Sequence, residues 1–277
     1  MYKVKRILVY LLMIFFSHSL QASDDKIYSV YVVPQLTPVM VDKAWTPFLN
    51  KLSEATGLKF ALKIQSSIPA FEKELLQGHP DFAFMNPYHQ VVAKKSQGYL
   101  PLIRDAEKQL TGIIVVRQDS PIQKIAQLDQ QLLAFPAPNA FAASLYTRTL
   151  LAKQAIHIIP RYVKNHSNVY RNVLVGDVAA GGGVNNTLQR EKEGIKKQLR
   201  VIYRTPAAAA HPFSVHPRIA KTIQEKVAQA FLALANNPQN RNTLNNIQIP
   251  KPMLADYERD YKGLEGLGLN KFYVENN

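Results

Sequence analysis

Cysteine is absent from all 277 residues. Disulfide staples, thiol nucleophiles and cysteine metal ligands are therefore closed to this chain, and the fold must be held by burial alone. A chain of this length can bury enough surface to manage that. Acidic residues are also scarce, 20 against 34 lysines and arginines, for a formal net charge of +14. That imbalance favours anionic partners through long-range attraction. The positive charges are nevertheless spread, over Lys94 and Lys95, residues 190–200, and Arg259 with Lys262. No block of five or six occurs and no basic helix carries interleaved aromatics, so no nucleic-acid partner is expected.

Long apolar runs are missing too, except near the start. Residues 7–16 are uniformly apolar, follow Lys3, Lys5 and Arg6, and lead through Leu20, Gln21 and Ala22 to the polar Ser23, Asp24 and Asp25. A basic end, a short apolar centre and a small exit residue make a secretory leader over residues 1–22. Ten apolar residues are half of the roughly 20 that a membrane-spanning helix needs, so cleavage near Ala22 is expected rather than anchoring. The expected product is a soluble protein outside the cytoplasm whose net charge drops by three, to +11. Its remaining length suits one large domain or two lobes.

Motifs of the common catalytic classes are lacking as well. There is no G-x-S-x-G elbow, no H-E-x-x-H and no Walker loop, and the glycines at 181–183 lack the lysine and hydroxyl that a phosphate-cradling loop carries. His211 and His216 are five residues apart with Pro212 between them, poor geometry for a metal pair. No enzyme activity, metal or cofactor is expected.

What is present is alternation of strand and helix patterns. Residues 27–33 are β-rich, and 41–56 carry apolar side chains at helical spacing and stop at Gly57. Strands are predicted at 58–64 and 82–85, with helices at 68–77 and from 88 onward. The series continues with strands at 100–103, 111–117, 132–135, 161–163, 178–181 and 201–203. Helices fall at 142–153, 167–175 and 218–234. The order implies sheets flanked by helices. Two lobes fit it, with residues 23–110 and 206–277 in lobe 1 and 111–205 in lobe 2. The crossings fall near 109–112 and 204–208.

Three segments carry a family resemblance: Asp-Phe-Ala-Phe-Met-Asn-Pro-Tyr at 81–88, Ala-Phe-Pro-Ala-Pro-Asn at 134–139, and the stretch from His166 through Arg171 to Asp177, each leading into or forming a helix. Together they resemble the phosphate/phosphite/phosphonate branch of periplasmic solute-binding proteins, the type II binding proteins of ABC transporters. The resemblance implies an α/β two-lobe fold, each lobe a mostly parallel sheet flanked by helices, with the ligand cleft between lobes. It also implies capture of a small anionic, phosphate- or phosphonate-like solute for an inner-membrane ABC permease. A sensory binding protein docking on a membrane receptor or kinase and a secreted enzyme on the same scaffold are the alternatives. The protein is expected to be a monomer.

Helix starts present unpaired N–H groups and the positive end of the dipole, which suits oxyanions. The candidate ligand contacts therefore sit where strands enter helices: Asn86 and Tyr88 after the third strand, Asn139 and Ser144 in the second lobe, His166 and Ser167 before the next helix, and Gln35 and Thr37 in the first loop. Two departures from the family pattern stand out. The loop that usually carries several hydroxyls has alanine or phenylalanine at 140–143, and no acidic residue follows Asp177 at 179–180. The glycines at 181–183 are expected to allow close backbone approach to a ligand.

Overall fold

A computed structural model describes residues 26–275, so the leader expected over residues 1–22 lies outside the described residues. Six strands form one sheet, in the order Pro252–Leu254, Leu100–Asp105, Phe213–Val215, Phe82–Phe84, Ile27–Val32 and Lys59–Ile64. Five form another, in the order Leu199–Arg204, Gly112–Arg117, Ala180–Val184, Leu132–Phe135 and Ile159–Tyr162. The chain leaves the first sheet through Gln109–Leu110 and returns through Ala208–Ala209, and these two short segments pair antiparallel between the lobes.

Each lobe is an α/β sandwich, but the sheets are mixed rather than mostly parallel. Strands joined by helical crossovers run parallel, as Ile27–Val32 does with Lys59–Ile64 and with Phe82–Phe84. Strands entering from the hinge run the other way: Phe213–Val215 is antiparallel to Phe82–Phe84, and Gly112–Arg117 is antiparallel to Ala180–Val184.

The first helix, Pro38–Thr56, shows how local chemistry sets an element. Proline opens it, Val41, Trp45, Phe48, Leu49 and Leu52 face the core, and Gly57 ends it at φ 68°, a left-handed cap that glycine adopts without strain. Trp45 then packs against the rings of Phe48, Phe84 and Phe213 at 5.8, 5.0 and 6.1 Å. The second lobe has no such aromatic centre. Its sheet is covered on one face by Ile113, Val115, Val169 and Tyr170, and on the other by Ile114, Val116, Leu133 and Phe135.

Some element positions differ from expectation. The helix expected at 142–153 begins as a π-helical turn, Phe141–Tyr146, before the α-helix Thr147–Ala152. The strand expected at 178–181 is Ala180–Val184 and contains the glycine triplet. Phe213–Val215 and Pro252–Leu254 are strands that the sequence pattern did not predict; Pro252 is tolerated because its strand lies at a sheet edge. Among the described residues no helix is long and apolar enough to cross a membrane.

Candidate functional site

The lobes meet around a cavity of about 20 Å3, room for roughly one water. Its polar wall comes from strand ends and helix starts: Gln35 and Asn86 from the first lobe, His211 just past the second hinge strand, and His166 at the start of the helix His166–Val175. Residues 140–143, the entry of the π-helical turn, form the facing wall. First-turn N–H groups of a helix lack intrahelical acceptors, so this wall offers donors even though its side chains are apolar.

Both histidines are buried and neutral. Burial alone holds His166 down at a pKa of about 3. Burial also holds His211 at about 3, with His89 and His166 pushing the same way. The His166 Nδ1 has no hydrogen-bond partner among the described residues. His211 is fixed differently. Gln248 Nε2 donates to Gln35 Oε1 at 3.1 Å, which turns the Gln35 amide so that its Nε2 donates to His211 Nε2 at 3.1 Å. The ring stacks on Phe84, 5.3 Å between centroids.

Of the residues expected to contact ligand, Gln35, Asn86 and His166 line this cavity. The other five do not. Asn139 is no helix cap, because the helical turn starts two residues later. Its Nδ2 donates to Glu72 Oε2 at 3.0 Å and to the Val274 carbonyl at 2.7 Å, while its Oδ1 accepts from Val274 N. Ser144 is fully buried, and its hydroxyl accepts from Arg148 Nε at 3.1 Å. Tyr88 lays its ring against Phe141 and Tyr273, 6.5 and 5.9 Å between centroids. Ser167 donates to Glu191 Oε1. Thr37 precedes the first helix with no side-chain cap bond. Asn86, besides lining the cavity, caps its own helix, accepting from His89 N at 2.7 Å.

These bonds seal one flank of the cleft. His89 Nε2 lies 2.7 Å from Glu72 Oε1, so Glu72 takes His89 from its own lobe and Asn139 from the other. Beside it, Arg148 donates to the carbonyls of Pro138 and Phe272 at 2.8 and 3.0 Å, tying the C-terminal segment across the second lobe.

The glycine triplet serves packing rather than approach to a ligand. A Cβ on Gly182 would lie 2.3 Å from both the Ala143 carbonyl oxygen and the Phe135 ring. One on Gly181 would meet Val169 at 2.5 Å, and one on Gly183 the Tyr170 hydroxyl at 2.5 Å. Glycine is what lets two helical segments sit directly on the strand.

The opposite flank is polar and cationic. Asn186 donates to Gln248 Oε1 across the lobes, and Arg190 Nη2 donates to the carbonyls of Asn245 and Asn246 at 3.0 and 2.7 Å. Arg190, Lys108 and His211 gave no functional signal in the sequence. Arg190 fell among the spread positive charges, Lys108 drew no reading, and His211 read only as a poor metal ligand. Position was the available clue, since Lys108 and His211 flank the two hinge strands. Among the described residues no cluster of three or more His, Asp, Glu or Cys could hold a metal ion.

Two comparisons bear on this arrangement. In fold, the chain is similar to a binding-protein component of an ABC phosphonate transporter from Pseudomonas aeruginosa, at TM-score 0.79 and 15% identity over 91% of this chain and 89% of that one. It is similar also to PhnD1 from Prochlorococcus marinus in complex with methylphosphonate, at 0.80 and 15% over 90% and 99%. A Xanthomonas citri protein bound to ATP gives 0.74 and 15% over 90% and 99%. No curated protein matches the chain in sequence. The family model for periplasmic substrate-binding proteins of phosphonate ABC transporters matches residues 30–261, through both lobes and both hinge strands. The chain belongs to that family of periplasmic substrate-binding proteins.

Proposed function

We propose that this chain is exported, loses its leader near Ala22, and captures a small phosphate- or phosphonate-like anion between its lobes for an inner-membrane ABC permease. The observation that carries this reading is His166: a buried, neutral imidazole in the wall of the interlobe cavity, with a ring nitrogen that has no partner among the described residues. Unpaired buried polar atoms are costly and rare, so this nitrogen calls for a partner inside the cleft. The adjacent helix entry at 140–143 supplies N–H donors, Gln35 and Asn86 supply side-chain amides, and the net positive charge draws anions in. Relatives of this fold bind methylphosphonate and ATP, both phosphorus oxyanions. The mechanism is non-covalent: the lobes open about 109–110 and 208–209, admit the solute and close over it.

Mass spectrometry of whatever is released from protein purified from the periplasm tests ligand class, and calorimetry with inorganic phosphate and methylphosphonate tests affinity. A bound neutral or cationic solute, or full-length Met1 protein retained in the membrane, overturns the reading. Small-angle scattering with the released ligand should show compaction.

A further inference from the structure

A cavity with room for one water is too small for a tetrahedral oxyanion, yet it adjoins a pocket of about 360 Å3 with which it shares Leu110 and His211. That size falls in the roughly 300–1,000 Å3 range of small-molecule sites. Both lobes build it: Lys108, His211 and Gln248 from the first, Asn185, Asn186 and Arg190 from the second. No acidic residue lines it. Lys108 forms no ion pair with any described carboxylate. The nearby Asp105 is occupied, one oxygen accepting the backbone N–H groups of Glu107 and Lys108 and the other that of Lys251. Arg190 uses only Nη2 on protein carbonyls, leaving its other donors without a described acceptor.

We propose that the acidic group of the captured solute sits in this adjoining pocket, between Lys108 and Arg190, while its other end reaches back to the cavity wall formed by His166 and residues 140–143. The solute is then a small organic anion rather than a bare inorganic oxyanion. This rests on the anion-binding reading above and names the class of anion. It also accounts for the loop at 140–143: with the charge held elsewhere, the hydroxyls that the family places there are not required. Partial desolvation lowers the Lys108 pKa, Asp105 opposes the shift, and repulsion from Arg190 adds to it. A bound anion counters that repulsion, and because the cations come from opposite lobes it also draws the lobes together.

The test titrates wild type, Lys108→Gln and Lys108→Arg by calorimetry with inorganic phosphate, methylphosphonate, butylphosphonate and pentanoate. The two longer anions separate phosphonate from carboxylate chemistry. Lys108 is the informative site because Arg190 also caps the helix Arg241–Asn246, so its loss would disturb structure as well. In wild type, a longer anion should bind more tightly than inorganic phosphate, and more weakly as salt is raised. Lys108→Gln should weaken that binding roughly tenfold to a hundredfold, the range for a lost hydrogen bond to a charged group. Lys108→Arg should restore it, with the ligand-free thermal midpoint unchanged in both variants. Binding that is indifferent to Lys108→Gln overturns the pocket assignment and leaves the anion-binding reading standing. If no anion of the panel binds the wild type, that reading falls and takes the pocket with it.

Discussion

On one flank of the cleft a buried carboxylate, Glu72, is shared between His89 of its own lobe and Asn139 of the other. On the other flank Lys108 and Arg190 face a pocket with no acidic residue in its lining. Both flanks join the same two lobes. On the first, the Glu72 carboxylate, the Asn139 amide and His89 Nε2 find protein partners, and only His89 Nδ1 has none among the described residues, so its polar residues answer mainly to stability. The second places two cations from opposite lobes on a pocket with no carboxylate in its lining, so its residues answer to whatever enters. Polar residues at a lobe interface therefore divide by whether the protein completes their hydrogen bonds, not by their proximity to a helix start.

The sharpest way to break this contrast is at Glu72. Glu72→Ala strands the His89 ring and removes one of the two acceptors of the Asn139 amide, in a site where each residue is about 1% exposed. Removing one partner of a buried pair costs about 3–5 kcal/mol, and urea unfolding should show a loss of that size. A loss under ~1 kcal/mol would mean that this flank does not hold the lobes.

Acid should act on the cleft floor. His166 and His211 have folded-state pKa values of about 3, against an ordinary value of 6.5. A depressed value means that between pH 6.5 and 3 the unfolded chain binds protons that the folded chain refuses. Their contribution to stability is thus fully present above pH 6.5 and is lost as pH falls toward 3. At pH 5 the loss is about 2 kcal/mol for each histidine. His166→Gln and His211→Gln should each remove one share of the pH dependence seen in urea unfolding between pH 7.5 and 5. An unchanged slope in either variant would show that its histidine titrates normally.

Gly182→Ala probes the wall shared by core and cavity. The added methyl meets a backbone carbonyl and an aromatic ring, neither of which yields easily, so overpacking should cost about 1–3 kcal/mol and lower Tm by several degrees. Because the displaced carbonyl belongs to Ala143, ligand affinity should fall with it. Lost stability with unchanged affinity would separate the 140–143 wall from the site.

The sequence made much of this legible where the signal is local. Helical spacing with Gly57 and Gly176 as stops located two helices, and the rule that ligand sites form where strands feed helices pointed to Gln35, Asn86 and His166, which do line the cavity. Long-range pairing was not legible. Asn139 looked like a ligand donor at a helix start, but its partner Val274 lies 135 residues away, and nothing local announces such a contact. The glycine triplet looked like room for a ligand because glycine marks close approach without naming what approaches; here it is Phe135, Val169 and Tyr170. Arg190 looked solvated because a scattered positive charge carries no trace of the pocket it faces.

Tyr88 is where the two flanks can be told apart with least disturbance, and the expected effect is the smallest. Its ring is buried against Phe141 of the second lobe and Tyr273 of the C-terminal segment, so packing assigns it to the sealed flank. Its hydroxyl makes no hydrogen bond with a described residue, and burial raises its pKa, so it remains a neutral phenol at neutral pH. Tyr88→Phe keeps the ring and removes only that hydroxyl. Stability by urea unfolding and affinity for the released ligand should then both stay within about 0.5 kcal/mol of wild type, as for a substitution that leaves no buried group unpaired. A tenfold loss of affinity at unchanged stability would place the hydroxyl on the ligand, return Tyr88 to the site and move part of the binding chemistry onto the flank that otherwise closes by itself.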